Sequence, residues 1–181
     1  MQFPWSFKYS QAALDWLARL ADSFSEFERF IEVRHRSWCQ PAALEQMARL
    51  GGLCNIDQPQ FSECLGPSDH VLGRNAYVRL HGRNFKAWFA KDVPRWERYN
   101  YLYTEEELAE WVQRLERMAE RAGNVYAIMN NHYRGQAPAN ALELRALLEG
   151  RQVEVPPDLL AAYPRLARLA RPVGGQGLFH F

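Results

Sequence analysis

Four short runs of alternating apolar and polar side chains stand among segments whose apolar residues recur every three or four positions, and this mixture restricts the fold more than any other feature. Over residues 10–21, Ala13, Leu14, Leu17, Leu20 and Ala21 share one helical face. Residues 29–34 alternate through Phe30, Ile31, Glu32, Val33 and Arg34, as a strand does. Pro41 then opens a second helix, striped by Leu44, Met47 and Ala48 and stopped at Gly51 and Gly52. Residues 53–57 and 76–81 are the next two strands, separated by a loop with Pro59, Gly66, Pro67 and Gly73 and no helical pattern. Thr104 and Glu107 form a capping box ahead of Leu108, Trp111, Val112, Leu115 and Met118, a helix running to Gly123. Residues 125–130 are the fourth strand, and Pro138 opens a helix with Ala141, Leu144, Leu147 and Leu148 inward before Gly150. Strands alternating with helices imply parallel β-α-β units, so the fold class is α/β.

Strand parity adds to this. Ile31 and Val33 oppose Glu32 and Arg34; Cys54 and Ile56 oppose Asn55 and Asp57; Ala76, Val78 and Leu80 oppose Tyr77, Arg79 and His81; Val125, Ala127 and Met129 oppose Tyr126, Ile128 and Asn130. One face is apolar and the other grows polar toward the strand end. An open sheet covered on both sides would be apolar on both faces. A barrel packs helices outside and gathers polar groups inside at its C-terminal mouth.

That mouth collects Glu32, Arg34 and His35; Asn55 and Asp57; Arg79, His81 and Arg83; and Asn130, Asn131 and His132. The expected site has Arg34, Arg79 and Arg83 clamping an oxyanion with forked donors. His81 carries protons with Glu32 or Asp57 as its orienting carboxylate, and His35, Asn130, Asn131 and His132 complete the substrate contacts. The competing structural reading is a buried network in which Glu32 and Asp57 merely neutralise Arg34 and Arg79. His35, His81, His132, Glu32 and Asp57 are acceptable metal ligands. Arginines in the same rim repel a cation, however, and no ligand-spacing motif is present, so neither metal nor cofactor is expected. Between His81 and Thr104 runs a long aromatic and basic loop holding Phe85, Trp88, Phe89, Trp96, Tyr99, Tyr101 and Tyr103 among Arg83, Lys86, Lys91, Arg95 and Arg98. It reads equally as a lid that binds rings and phosphates or as a hydrophobic cover.

With 22 Lys and Arg against 21 Asp and Glu, a net charge of +1 gives no electrostatic case for bulk nucleic-acid or membrane-surface binding. No apolar run approaches the roughly 18–20 residues that span a bilayer, and the first residues, MQFPWSFKYS, lack a signal peptide's charged and apolar regions. The reading is a cytoplasmic protein. Cys39, Cys54 and Cys64 include no C-x-x-C pair and are read as reduced thiols.

Five motifs in this order carry a resemblance: QFPWSF (2–7), EVRHRSW (32–38), YVRLHGR (77–83), YNYLYTEEEL (99–108) and NNHYRGQAPANALELRALL (130–148). Together they resemble the YecE-like family of domains of unknown function, over residues 2 to about 166. The resemblance implies a TIM-barrel-like fold with no assigned activity, and places Glu32, Arg34, His35, Arg79, His81, Arg83, Asn130 and Asn131 on family motif positions. A complete eightfold barrel needs about 250 residues, whereas this chain has 181. The expectation is therefore a partial barrel: residues 1–150 as its C-terminal part, and residues 151–181 as a Pro-rich tail packed on it. Such a fragment exposes strand edges and a hydrophobic face, so poor solubility or a homodimer of half-barrels follows. The expected partner is a small phosphate- or carboxylate-bearing substrate. A nucleic-acid-binding module using the aromatic loop and a metal-assisted phosphodiester hydrolase are the alternatives.

Overall fold

The computed structural model of the chain describes residues 1–88 and 90–171. Phe89 of the aromatic loop and residues 172–181 of the tail lie outside the described residues. Four parallel strands, β1 (Phe30–Ile31), β2 (Gly52–Asp57), β3 (Ala76–Leu80) and β4 (Val125–Met129), pair in chain order. The N-terminal residues join this sheet beside β1: Phe3 N–H donates to Glu32 O at 2.9 Å, and Glu32 N–H to Met1 O at 2.8 Å. One edge of the sheet is thus residues 1–3, and the other is β4.

Helices α1 (Gln11–Ser23) and α2 (Pro41–Leu50) cover β1 and β2. Ser10 caps α1 by accepting from Ala13 N–H, and Leu17, Trp38 and Met47 bury themselves on Ile31, Val33 and Leu53. The short helix α3 (Phe85–Trp88) lies in the aromatic loop. It is followed by α4 (Glu105–Ala119), which begins with the capping box of Thr104 and Glu107. Leu108, Trp111, Leu115 and Met118 of α4, spaced by three and four, pack with Ala76, Val78 and Leu80 of β3. Truncating Trp111 to Ala would cost about 3–5 kcal/mol, the usual figure for a buried aromatic. Helix α5 (Gln136–Glu149) contributes Leu144 to the same cluster. It starts two residues before Pro138, which the first turn tolerates because its missing N–H has no helical acceptor.

The Pro-rich tail carries regular structure of its own within its described residues. Besides α6 (Pro157–Ala162), it holds a two-residue parallel pair, β5 (Val153–Glu154) with β6 (Ala170–Arg171). Runs of two residues carry too little periodicity to be seen in a sequence. Among the described residues no helix is long and apolar enough to cross a membrane. All three cysteines are free, and burial pushes the Cys39 thiol up to about 11.

The pairing register corrects the parity of β2. Asn55 pairs with Val78 and Asp57 with Leu80, while Cys54 pairs with Tyr77 and Ile56 with Arg79. Paired residues share a face. Asn55 and Asp57 therefore lie on the helix-covered side, and Cys54 and Ile56 on the side of Glu32 and Arg79. All six β2 residues are buried, so neither face of this strand meets water and its alternation carries no inside–outside signal.

Candidate functional site

On the face away from the helices, Glu32 stands at the end of β1 with one carboxylate serving three partners. Arg34 Nη2 donates to its Oε1 at 2.9 Å, Arg79 Nη1 to its Oε2 at 2.5 Å, and His81 Nε2 lies 3.0 Å from Oε1. The other nitrogen of His81, Nδ1, lies 2.8 Å from Asn130 Nδ2. Since the amide nitrogen can only donate, Nδ1 accepts, and the imidazole proton sits on Nε2 facing Glu32. Gln2 completes the group by accepting from Arg79 Nη1 at 2.8 Å. Gly82, the next residue after His81, makes this placement compatible with the aromatic loop. Its φ is +93°, and a Cβ there would lie 2.7 Å from Tyr101 Cβ.

Burial opposes ionisation of Glu32, but the His81 hydrogen bond and the two guanidinium charges prevail and hold its carboxyl down to about 2. His81 moves down as well: burial, helped by the guanidiniums of Arg34 and Arg79, outweighs the pull of Glu32 and keeps the ring neutral at pH 7. One ionised carboxylate thus faces two guanidiniums, and one positive charge is left over.

Two clefts open beside this group. One of about 390 Å³ is lined by Glu32, Arg79, Cys54, Tyr77 and Ile128. The other, of about 470 Å³, is lined by Arg34, Gln58, Trp5, Phe61, Trp88 and Tyr99. Gln2 borders both. Trp88 lies under the Arg34 guanidinium, 5.4 Å from centroid to carbon, and Tyr99 reaches to 4.7 Å from the His132 ring. The loop between His81 and Thr104 thus sends Trp88 and Tyr99 toward the mouth and leaves Phe85 and Trp96 exposed.

The expected site residues divide into groups. Glu32, Arg34, Arg79, His81 and Asn130 come together, and exposed His132 sits at the rim. Asp57 and Arg83 do not join them. They meet on the helix side, where Arg83 Nε donates to Asp57 Oδ2 at 2.9 Å and Trp111 Nε1 to the same oxygen at 2.9 Å. Arg83 is drawn further by Glu107 and Glu110. Of the two carboxylates considered for orienting His81, Glu32 holds the ring and Asp57 offers it no side-chain bond. His35 also turns away: its Nδ1 accepts from Ser37 N–H as the cap of a short 3-10 helix (Arg36–Cys39). Asn131 is buried in the tail-facing network, donating to Tyr101 O and Asn140 Oδ1. His81 is fully buried, with one ring nitrogen on Glu32 and the other on Asn130. Sequence reasoning missed Gln2 and Gln58. The signal for Gln58 was its place one residue past Asp57, on the parity that the register assigns to the mouth. Among the described residues, no three His, Cys, Asp or Glu side chains gather as a metal centre requires.

A parallel α/β sheet with a cationic cluster at the carboxyl ends of its strands defines the class of this domain. Within that class the chain belongs to the DUF72 family, described as proteins of unknown function, which matches residues 1–165. This is the same family as the YecE-like one that its motifs resemble. The UPF0759 protein YunF of Bacillus subtilis (strain 168) is 29% identical over 160 residues, 82% of this chain and 56% of YunF. A DUF72 family protein of Thermotoga maritima MSB8 has a crystal structure similar to this fold, with a TM-score of 0.76 at 35% identity, over 82% of this chain and 56% of that one. One from Enterococcus faecalis V583 gives 0.74 at 29%, over 86% and 58%. The chain spans a little over half the length of these relatives.

Proposed function

We propose that the mouth of this domain binds a small substrate through its phosphate or carboxylate group, with Arg79 and Arg34 as the holding side chains. The observation that carries the reading is the sharing of one Glu32 carboxylate between two guanidiniums beside a neutral His81. The excess charge is prepaid: Glu32 and Gln2 fix the Arg79 guanidinium before an anion arrives, while Nε and Nη2 of Arg79 have no acceptor among the described residues. Calorimetry with inorganic phosphate tests this. Arg79→Ala should weaken binding at least about tenfold, the worth of one charge-assisted bond, and Lys91→Ala in the exposed loop should leave it unchanged. Equal effects of the two would defeat the reading. Tight single-stranded DNA binding that collapses with moderate salt, without phosphate binding, would favour the nucleic-acid module instead.

We further infer that the sheet is the C-terminal, open part of a barrel. The support is the chain's share of its relatives' length together with β4, where Tyr126 and Ile128 remain 42% and 40% exposed on the face that a closed barrel would bury. Light scattering should show a dimer or larger species, and a stable monomer would contradict a pairing of half-barrels.

A further inference from the structure

We propose that the 470 Å³ cleft beside Arg34 is a subsite for an aromatic ring, so that the ligand of the mouth is an aryl phosphate or aryl carboxylate and not a sugar phosphate. This rests on the anion-binding reading above and names the substrate class for it. Two pairs of rings line the cleft. Trp5 and Phe61 stand 5.9 Å apart by centroid, and Trp88 and Tyr99 stand 6.2 Å apart, edge to face. Trp5 is 37% exposed, so part of its ring is open to a ligand. Aromatic walls favour a flat, polarisable ring in offset or edge contact.

The polar groups point to a particular kind of ring. Gln58 is fully buried and lines the cleft; its Nε2 donates to Leu65 O at 3.1 Å and Arg34 O at 3.4 Å, while its Oε1 has no partner. Nε of Arg34 is likewise buried without a partner, although Nη2 of the same side chain is held by Glu32. A buried acceptor and a buried donor left unmet are costly to the fold and call for a ligand group or a bound water. Both are met by one molecule: a hydroxyl or amine on the ring edge donates to Gln58, and the acidic group accepts from Arg34. Arg98, exposed at the rim and in no ion pair among the described residues, adds a second cation for that acid. A sugar offers several hydroxyls and needs several polar side chains to receive them. Here amides are supplied by Gln2 and Gln58 alone, against Phe3, Trp5, Phe61, Trp88 and Tyr99.

The test is calorimetry on the full chain with phenyl phosphate, glucose 6-phosphate and inorganic phosphate. Phenyl phosphate should bind at least about tenfold more tightly than either other probe, consistent with the contribution of one stacked ring. Trp88→Ala should erase that margin, and the affinity for inorganic phosphate should be unchanged in Trp5→Ala, whose ring touches neither guanidinium. Trp5→Ala repeats the measurement from the other pair of rings, with circular dichroism reporting whether each variant is folded. Equal binding of the three probes would overturn the aromatic subsite and leave the anion site standing. A margin that survives in both variants would overturn the subsite as well. No binding of any probe would overturn both the subsite and the reading beneath it.

Discussion

The two faces of this sheet each bury a carboxylate bonded to arginine, and the two clusters are opposite in charge balance. On the open face, Glu32 is outnumbered by Arg34 and Arg79, and the surplus cation borders a cleft. On the helix face, Arg83 is outnumbered by Asp57, Glu107 and Glu110, and Asp57 also accepts from Trp111. Residue type does not distinguish them, since both contain Asp or Glu, Arg and an aromatic or imidazole N–H donor. The stoichiometry and the access do. A cation shared among three carboxylates has nothing left to offer an anion, whereas two cations on one carboxylate do.

The largest test of this contrast is Asp57→Ala. It removes the acceptor of a buried indole N–H and the innermost partner of Arg83, and should cost about 3–5 kcal/mol in urea unfolding, as the breaking of buried pairs does. Phosphate affinity measured below the transition should be unchanged. A loss of affinity at full stability would place Asp57 in the mouth after all.

Acid should separate the clusters by sign. Glu32 is held down to about 2 against an ordinary 4.5, so its contribution is complete above pH 4.5 and is lost as pH falls toward 2, on the order of 3 kcal/mol. Asp57 moves the other way: burial, only partly offset by Arg83 and Trp111, raises its pKa, so its ionised form is a burden that acid relieves. Urea midpoints followed from pH 6 to pH 2.5 should therefore fall less steeply in Glu32→Gln than in the native chain, and more steeply in Asp57→Asn. Parallel curves for all three would remove the assigned contrast. His81 acts in the same direction as Glu32 at higher pH. Its lowered pKa means that the unfolded chain takes the proton first, so stability declines as pH drops below about 6.5.

How much of this was readable beforehand depends on where each strand meets water. β3 shows its pattern openly, with Ala76, Val78 and Leu80 fully buried and Tyr77 and Arg79 half-buried, so its parity is correct from sequence. The helices follow from caps and stripes that are local. β2 is covered on both faces, so Asn55 and Asp57 could be placed on the helix side only by the pairing with Val78 and Leu80, which no local pattern encodes. Their polar groups are tolerated there because distant residues supply the bonds: Ser68 and His70 for Asn55, Trp111 and Arg83 for Asp57. Arg83 shows the same limit. It follows YVRLHG as if it belonged with Arg79, but the turn at Gly82 sends it to the opposite face.

At the level of affinity, the contrast predicts that Arg79→Ala and Arg83→Ala differ. The first should weaken phosphate binding at least about tenfold, or 1.4 kcal/mol, with a smaller fall in urea midpoint than the second, because Glu32 keeps Arg34 and His81 as partners when Arg79 is removed. The second should lower the midpoint and leave affinity within about twofold. Interchanged results would transfer the anion site to the helix face.

The smallest effect belongs to Asn130, which touches neither guanidinium and acts through the proton on His81. Its Nδ2, 2.8 Å from Nδ1, keeps that nitrogen an acceptor and so holds the proton on Nε2, against Glu32. Asn130→Ala removes the constraint and lets the other tautomer compete, which withdraws one donor from Glu32 part of the time. The expected cost is about 1 kcal/mol of stability, the net worth of one hydrogen bond, with phosphate affinity reduced about two- to threefold. The nitrogen-15 spectrum of the imidazole should show the proton divided between Nε2 and Nδ1, where the native chain shows it on Nε2 alone. A spectrum unchanged by the substitution would mean that Glu32 alone fixes the ring, and Asn130 would then leave the cluster while the two arginines and their shared carboxylate stay as they are.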